Sequence, residues 1–277
     1  MTLADRNMVF KAGIVLSFVC LAICAAGSIK AFPVYPLMEN GFTLRSGGIL
    51  NPLAAKFLDV NLTAVHFCVL ALILYSFLSM ILIYFSFEKT QSPEIFFVGL
   101  FALSFSLEVF RLILPLTRVY DIPSFYALAA SRTVLFGRYF GIFSLFVASI
   151  YAAGYKTQRQ RYVVMILIVT TLIIALGVPI DTQTWDSSLN MVTGYVSMFR
   201  IIEAGTFLIT AVSFLIAAWS RGSREFAFTG AGSVLAFLGR NILLNADTWA
   251  GPPAGLLFLA AGTWLICTKL HKFYLWM

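Results

Sequence analysis

The sequence predicts an all-α fold, a polytopic integral membrane bundle of about eight transmembrane helices. Three observations lead there. Hydrophobic residues make up 60% of the 277 residues and charged residues 11%, against roughly 45–50% and ~25% in soluble domains. The mean hydropathy is +0.91. The apolar residues also fall into long runs separated by short polar segments. A chain this poor in polar residues cannot coat a water-soluble globule, which excludes a soluble enzyme, a disordered chain, a coiled coil and a disulfide scaffold.

The runs cover residues 8–28, 62–85, 95–116, 134–155, 163–180, 199–219, 226–243 and 254–270. Each meets or approaches the ~20 residues that a helix needs to cross a hydrocarbon core of about 30 Å. Helices are required because a backbone in lipid must satisfy its own hydrogen bonds. A β-barrel is excluded because the runs do not alternate apolar and polar residues. The first run also has the shape of a signal peptide, with small residues around Cys24 to Gly27. Cleavage there would leave seven helices and the same orientation for the rest. The polar punctuation EKTQSPE, KTQRQR, DTQTWDSS, SRGSRE and NADTWAGPP supplies connections. The whole chain, 1–277, is one transmembrane domain. Its longest connection, 29–61, carries Pro33, Pro36 and an Arg45-Ser-Gly-Gly turn, and its segment from Asn51 to Leu58 fits a short interfacial helix with Pro52 at the first position. The SFYALAAS segment before the fourth run fits another interfacial turn.

Orientation follows from Lys and Arg in the connections. With both termini in the cytoplasm, the inner segments hold ten basic and four acidic residues, and the outer segments five basic and six acidic. The short basic loops KTQRQR and SRGSRE then both lie inside. The pattern predicts a multi-pass protein of a bacterial cytoplasmic membrane. The overall charge of +7 is largely positive-inside bias, so no nucleic-acid partner is implied. Cys20, Cys24, Cys68 and Cys267 all lie within runs and suit apolar packing rather than disulfides. Tyr35, Tyr120, Trp185, Trp249, Tyr274 and Trp276 mark span ends as an aromatic belt. Gly and Ala positions in the first, fourth, seventh and eighth runs permit close helix approach.

Ionisable groups inside the runs cost at least ~2.5–3.5 kcal/mol each at mid-helix, which makes them candidates for function. They are Glu108, Arg111, Arg138, Arg200, Glu203 and Arg240, with His66 beside them. The alternating helix directions put all of them in one layer of the outer leaflet. Glu108-x-x-Arg111 and Arg200-x-x-Glu203 mirror each other, and residues three apart share a helix face. Ser104, Thr206, Thr210 and Ser233 extend the same faces deeper. Four Arg against two Glu leave the layer at a net +2. In a low-dielectric site such a surplus suits an anion, and the planar guanidinium fork matches carboxylate or phosphate. The competing explanation is structural: arginines near helix ends snorkel to the headgroups, Arg200 most of all, and ion pairs fix helix packing at little net gain. Glu108, Glu203 and Arg240 fit snorkelling least.

The expected binding residues are therefore Glu108, Arg111, Arg138, Glu203, Arg240 and His66. No catalytic residue, metal ligand or cofactor is indicated, since HExxH, GxSxG, P-loop and EF-hand patterns are missing and no His/Cys/carboxylate set has metal spacing. The Asn61-Leu-Thr63 sequon abuts a membrane helix and carries no glycosylation signal. The size and the placement of the C-terminus resemble those of bacterial seven- or eight-helix sensor modules, in architecture alone. The first functional expectation is a binding or sensory module that accepts an anionic small molecule or lipid headgroup from outside and signals to, or assembles with, a partner protein. The alternatives are a secondary transporter of an anionic solute, an outer-leaflet lipid-acting enzyme with Glu108 or Glu203 as base, and a structural subunit of a membrane complex.

Overall fold

The computed structural model describes residues 2–32, 35, 57, 59–88, 92–120, 122–155 and 160–275. Eight helices among them are long and apolar enough to cross a membrane, so the protein is a multi-pass membrane bundle. We number them α1 (Leu3–Ala31), α2 (Leu62–Phe87), α3 (residues 93–119), α4 (Ser124–Ala152), α5 (Gln160–Gly177), α6 (Val196–Ser220), α7 (Arg224–Asn245) and α8 (Gly251–Leu275). Between α5 and α6 lies an antiparallel hairpin of β1 (Ile180–Trp185) and β2 (Met191–Thr193). The proposed interfacial helix from Asn51 to Leu58 lies outside the described residues, Phe57 excepted.

The helix starts are built from local chemistry. Thr2 and Asp5 form a capping box on α1. Ser92 caps α3 with Pro93 in its first turn, where the missing N–H costs nothing. Asn61 caps α2 by accepting from the backbone N–H groups of Thr63 and Ala64, and it also takes the Thr63 hydroxyl. The residues of the sequon therefore serve as a cap.

Three expectations about boundaries change. First, α4 begins at Ser124, so SFYALAAS is its first turns and not a separate interfacial turn. Second, α5 ends at Gly177 because Pro179 has no N–H to continue the helix, and Ile180 opens a strand instead. Third, the polar segment DTQTWDSS is not a plain connection but most of a hairpin.

α3 lies at the centre, with every residue from 92 to 102 buried. α1 and α2 pack on one side of it and α4 on the other, while α6 bridges α4 and α7, and α8 returns to α2. α5 rests on α4. Lipid tails are as apolar as the side chains, so packing and close backbone approach, not water exclusion, hold such helices together. An aromatic ladder runs from Phe10 to Phe96 (6.0 Å between ring centres), Phe97 (5.3 Å) and Tyr151 (5.3 Å, stacked). α7 and α8 touch backbone to backbone: a Cβ on Gly239 would stand 2.3 Å from the Leu259 nitrogen. α3 and α4 meet at Gly141, where a Cβ would stand 2.3 Å from the Ser104 hydroxyl. The four cysteines are free thiols.

The first turns of α1 and the last turn of α8 lie beside the end of α2 and the start of α3. Arg6 donates to the Phe87 and Glu88 carbonyls (2.7 and 3.0 Å), and the Tyr274 hydroxyl donates to Glu94 (2.7 Å). Nearby, Glu225 pairs with Lys269 (3.2 Å) and Lys272 (3.4 Å). We call this the terminal end of the bundle and the opposite one the hairpin end. The arginine and glutamate layer sits toward the hairpin end.

Candidate functional site

The centre of the layer is Glu108, on a stretch of α3 that winds as a 3-10 helix from Phe105 to Leu112. With three residues per turn, side chains at i and i+3 eclipse, so Glu108 and Arg111 stand directly one above the other. Glu108 is 2% exposed and both of its carboxylate oxygens are engaged. Arg138 of α4 donates to it twice, from Nε to Oε1 (2.8 Å) and from its terminal nitrogen to Oε2 (3.0 Å), and Arg111 donates to Oε2 (3.2 Å). One carboxylate thus holds two guanidinium groups and ties α3 to α4. Gly137 and Gly141 allow this proximity, since a Cβ at either position would press on Ser104 or Leu107.

The hairpin completes the coordination. The Asn190 side chain accepts from Arg138 (2.7 Å) and the Ser188 carbonyl accepts from Arg111. The tip is held in shape by Asp186, whose Oδ1 accepts from the Ser188 N–H (3.1 Å), the Ser188 hydroxyl (2.8 Å) and the Asn190 N–H (3.0 Å). Leu189 takes a left-handed backbone conformation at φ 56°, and its side chain is buried with Ala31, Tyr35, Leu62 and Val65. Ser187 donates to Asp247 (2.9 Å), and the Asp247 carbonyl accepts from the Asn61 N–H (2.8 Å). The tip is thereby pinned to α1, α2, α3, α4 and the α7–α8 connection.

Arg240 of α7 is the second centre. It lies 3.6 Å from Glu203 of α6 and donates to the Arg138 carbonyl (3.3 Å) and the Asn241 side chain (3.0 Å). The expected Arg200–Glu203 pair is not formed among the described residues. Glu203 turns to Arg240 across the helix interface, while Arg200 is exposed. Snorkelling does not describe Arg111, whose side chain is 1% exposed, or Arg138, which chelates Glu108. Arg138 is also no longer near a helix start, because α4 begins at Ser124.

Between these groups opens a cavity of about 590 Å³. Arg111, Arg138, Arg200 and Arg240 all line it, with Glu203, Asp186 and Asn190, while Glu108 lies behind Arg111 and Arg138. The structure thus brings Arg111, Arg138, Glu203 and Arg240 to one cavity. His66 is placed elsewhere. Its Nε2 is 2.7 Å from the Ser28 hydroxyl of α1 and its Nδ1 is 2.9 Å from the hydroxyl of Tyr35, which follows α1, so both ring nitrogens are engaged away from the cavity. Tyr35, expected in the interfacial belt, is buried against this histidine. The deeper hydroxyls do not extend the site either. Ser104, Thr206, Thr210 and Ser233 each donate to a carbonyl of their own helix, which is how hydroxyls are commonly satisfied in apolar helices.

Sequence reasoning missed Ser131, Asp186, Asn190 and Asn241. Ser131 carried a signal: it is seven residues before Arg138, on the same face of α4. The hairpin residues carried none, because their role depends on where the tip is folded back. Among the described residues, no group of three or more His, Cys, Asp or Glu side chains is arranged to hold a metal ion. What the cavity offers chemically is a set of guanidinium groups, three of them held by protein acceptors, in a half-open space where charge-assisted hydrogen bonds to an anion can form. No protein-family model matches the chain, and no match was found among curated proteins.

Proposed function

We propose that this multi-pass membrane protein binds an anionic small molecule or lipid headgroup in the arginine-lined cavity, and that it signals to, or assembles with, a partner protein. The observation that carries the reading is the cavity itself, where four arginines converge from α3, α4, α6 and α7. Two of the guanidinium groups, those of Arg111 and Arg138, are pre-oriented by Glu108, Asn190 and the Ser188 carbonyl. Pre-orientation lowers the ordering cost of binding and favours a ligand with two acceptor oxygens.

The same reading places the hairpin end outside a bacterial cytoplasmic membrane and both termini in the cytoplasm. The basic residues Arg6, Arg221, Arg224, Lys269 and Lys272 at the terminal end support it by the positive-inside rule. Native mass spectrometry of the gently solubilised wild type and of Arg240→Gln tests the binding. An anionic species retained by the wild type and lost from the variant supports it. Identical spectra refute it.

One observation favours a second reading, a structural subunit of a membrane complex. Arg111, Arg138 and Arg240 each already have a protein acceptor, so the network can serve helix association alone. Co-purification with one constant integral partner, without any bound anion, would support that alternative.

A further inference from the structure

Resting on the anion-binding reading above, we infer that the ligand is a singly charged amphiphile: a head carrying one negative charge over two equivalent oxygens, joined to a hydrocarbon chain. Carboxylate and phosphodiester heads share this chemistry.

Three independent features lead to this class. The first is size. A bare acetate or phosphate would fill a small part of a cavity of about 590 Å³, a volume in the range of roughly 300–1,000 Å³ used for larger organic ligands. The second is the distribution of charge. Four arginines surround the space, and Glu203, Asp186 and the underlying Glu108 oppose them, leaving a surplus of one positive charge. A monoanion balances that surplus, whereas a dianion would leave one uncompensated negative charge close to the buried Glu108 carboxylate.

The third is the way polar and apolar groups alternate on each wall. On α4, Ser131 and Arg138 flank Val134 and Leu135, and on α7, Arg240 lies between Phe237 and Leu244. The rim carries Val192 and Val196, which are 43% and 42% exposed, beside the exposed Arg200. Val192 lies on β2 and Val196 opens α6, so apolar side chains are exposed at the end of a membrane-spanning helix, where a hydrocarbon chain can reach the cavity from the bilayer. Ser131 Oγ is buried and makes no hydrogen bond among the described residues, and neither does Arg111 Nε. Both residues line the cavity. Buried polar groups are normally paired, and a small rotation of either side chain would turn its donor to the head.

The test is titration of the purified full chain in dodecyl maltoside micelles, read by native mass spectrometry. The probes are laurate, acetate, phosphatidylglycerol, phosphatidic acid, inorganic phosphate and dodecyltrimethylammonium. A one-to-one complex is expected with laurate or phosphatidylglycerol, and the tighter of the two identifies the head. Acetate and inorganic phosphate should bind about a hundredfold more weakly, for want of the buried chain. Ser131→Ala and Arg240→Gln should each weaken the complex about tenfold. Ser131→Ala removes no hydrogen bond of the fold, so it serves as the test if Arg240→Gln does not fold.

Acetate or phosphate binding as tightly as the long-chain probes would overturn the amphiphile and leave the anion site standing. Tighter binding of phosphatidic acid than of phosphatidylglycerol would overturn the single charge alone. Equal binding of dodecyltrimethylammonium, no binding of any anion, or binding unchanged in both variants would overturn this inference and the anion-binding reading together.

Discussion

Replacing Glu108 by Gln should be among the most damaging isosteric changes in the protein. The substitution keeps shape and volume and removes one charge. In the wild type that carboxylate accepts three hydrogen bonds from two guanidinium groups, at 2.8, 3.0 and 3.2 Å. A glutamine presents one acceptor oxygen and one NH2, and the NH2 faces guanidinium donors. Arg111, 1% exposed, and Arg138 would then stand close together without their counter-ion. Breaking a buried pair by removing one partner costs about 3–5 kcal/mol. At about 1.4 kcal/mol per tenfold, this lowers the folded-to-unfolded ratio by roughly a hundred- to a few thousand-fold. Glu203→Gln is the control. Glu203 is 28% exposed and 3.6 Å from Arg240, and the buried Arg240 keeps the Asn241 and Arg138 acceptors, so its loss should cost less, about 1–3 kcal/mol. Unfolding in mixed micelles against rising SDS fraction measures both. Replacing Glu108, Arg111 and Arg138 together by Leu, Met and Met should recover most of the loss, because the desolvation penalty leaves with the charges. Equal stability of Glu108→Gln and wild type, or equal losses at Glu108 and Glu203, would refute the assignment of Glu108 as the keystone of the network.

Three further outcomes are expected. Asp186→Ala removes the acceptor for three hydrogen bonds of the hairpin tip, each worth about 0.5–1.5 kcal/mol net. Amide exchange at Ser188 and Asn190 should accelerate by at least about tenfold, and unchanged rates would mean that Leu189 packing alone holds the tip. Gly239→Ala should destabilise the bundle by about 1–3 kcal/mol through overpacking, since its Cβ would meet the Leu259 backbone at 2.3 Å, whereas Gly205→Ala has nothing within 4 Å and should be neutral or gain up to about 1 kcal/mol of helix propensity. SDS unfolding separates the two, and a neutral Gly239→Ala would contradict the α7–α8 contact. Tyr35→Phe leaves the His66 ring nitrogen now 2.9 Å from the Tyr35 hydroxyl without its partner, at about 1–3 kcal/mol. The same measurement reads it, and a loss below about 0.5 kcal/mol would mean that the histidine is satisfied in another way.

The spans were legible because lipid demands long apolar helices, and that demand acts on each segment by itself. Their ends were less so. Ser124 opens α4 with residues that read equally well as an interfacial turn, and the polar stretch after Pro179 gave no sign that it pairs with Met191–Thr193. The charged layer was legible as a layer, since alternating helix directions fix depth. Its partners were not. The i,i+3 rule foresaw Glu108–Arg111, where the 3-10 winding eclipses the two side chains. It failed for Arg200–Glu203, where Arg240 from the neighbouring helix competes successfully for the carboxylate. His66 has the same depth as the arginines, but depth does not specify direction around the bundle. Its neighbours are Ser28 and Tyr35.

By itself, then, the amino-acid sequence determined that the protein is a multi-pass helical bundle, and that a few arginines and glutamates sit at one level within it. These properties depend on local composition and on the solvent, so they can be read segment by segment. Only the tertiary structure decided that one carboxylate holds two arginines, that a hairpin tip folds back to supply Asn190 and the Ser188 carbonyl, and that a cavity remains between α4, α6 and α7. Those outcomes depend on which helix faces meet, and the meeting is set by packing at positions such as Gly137, Gly141 and Gly239 that carry no charge at all.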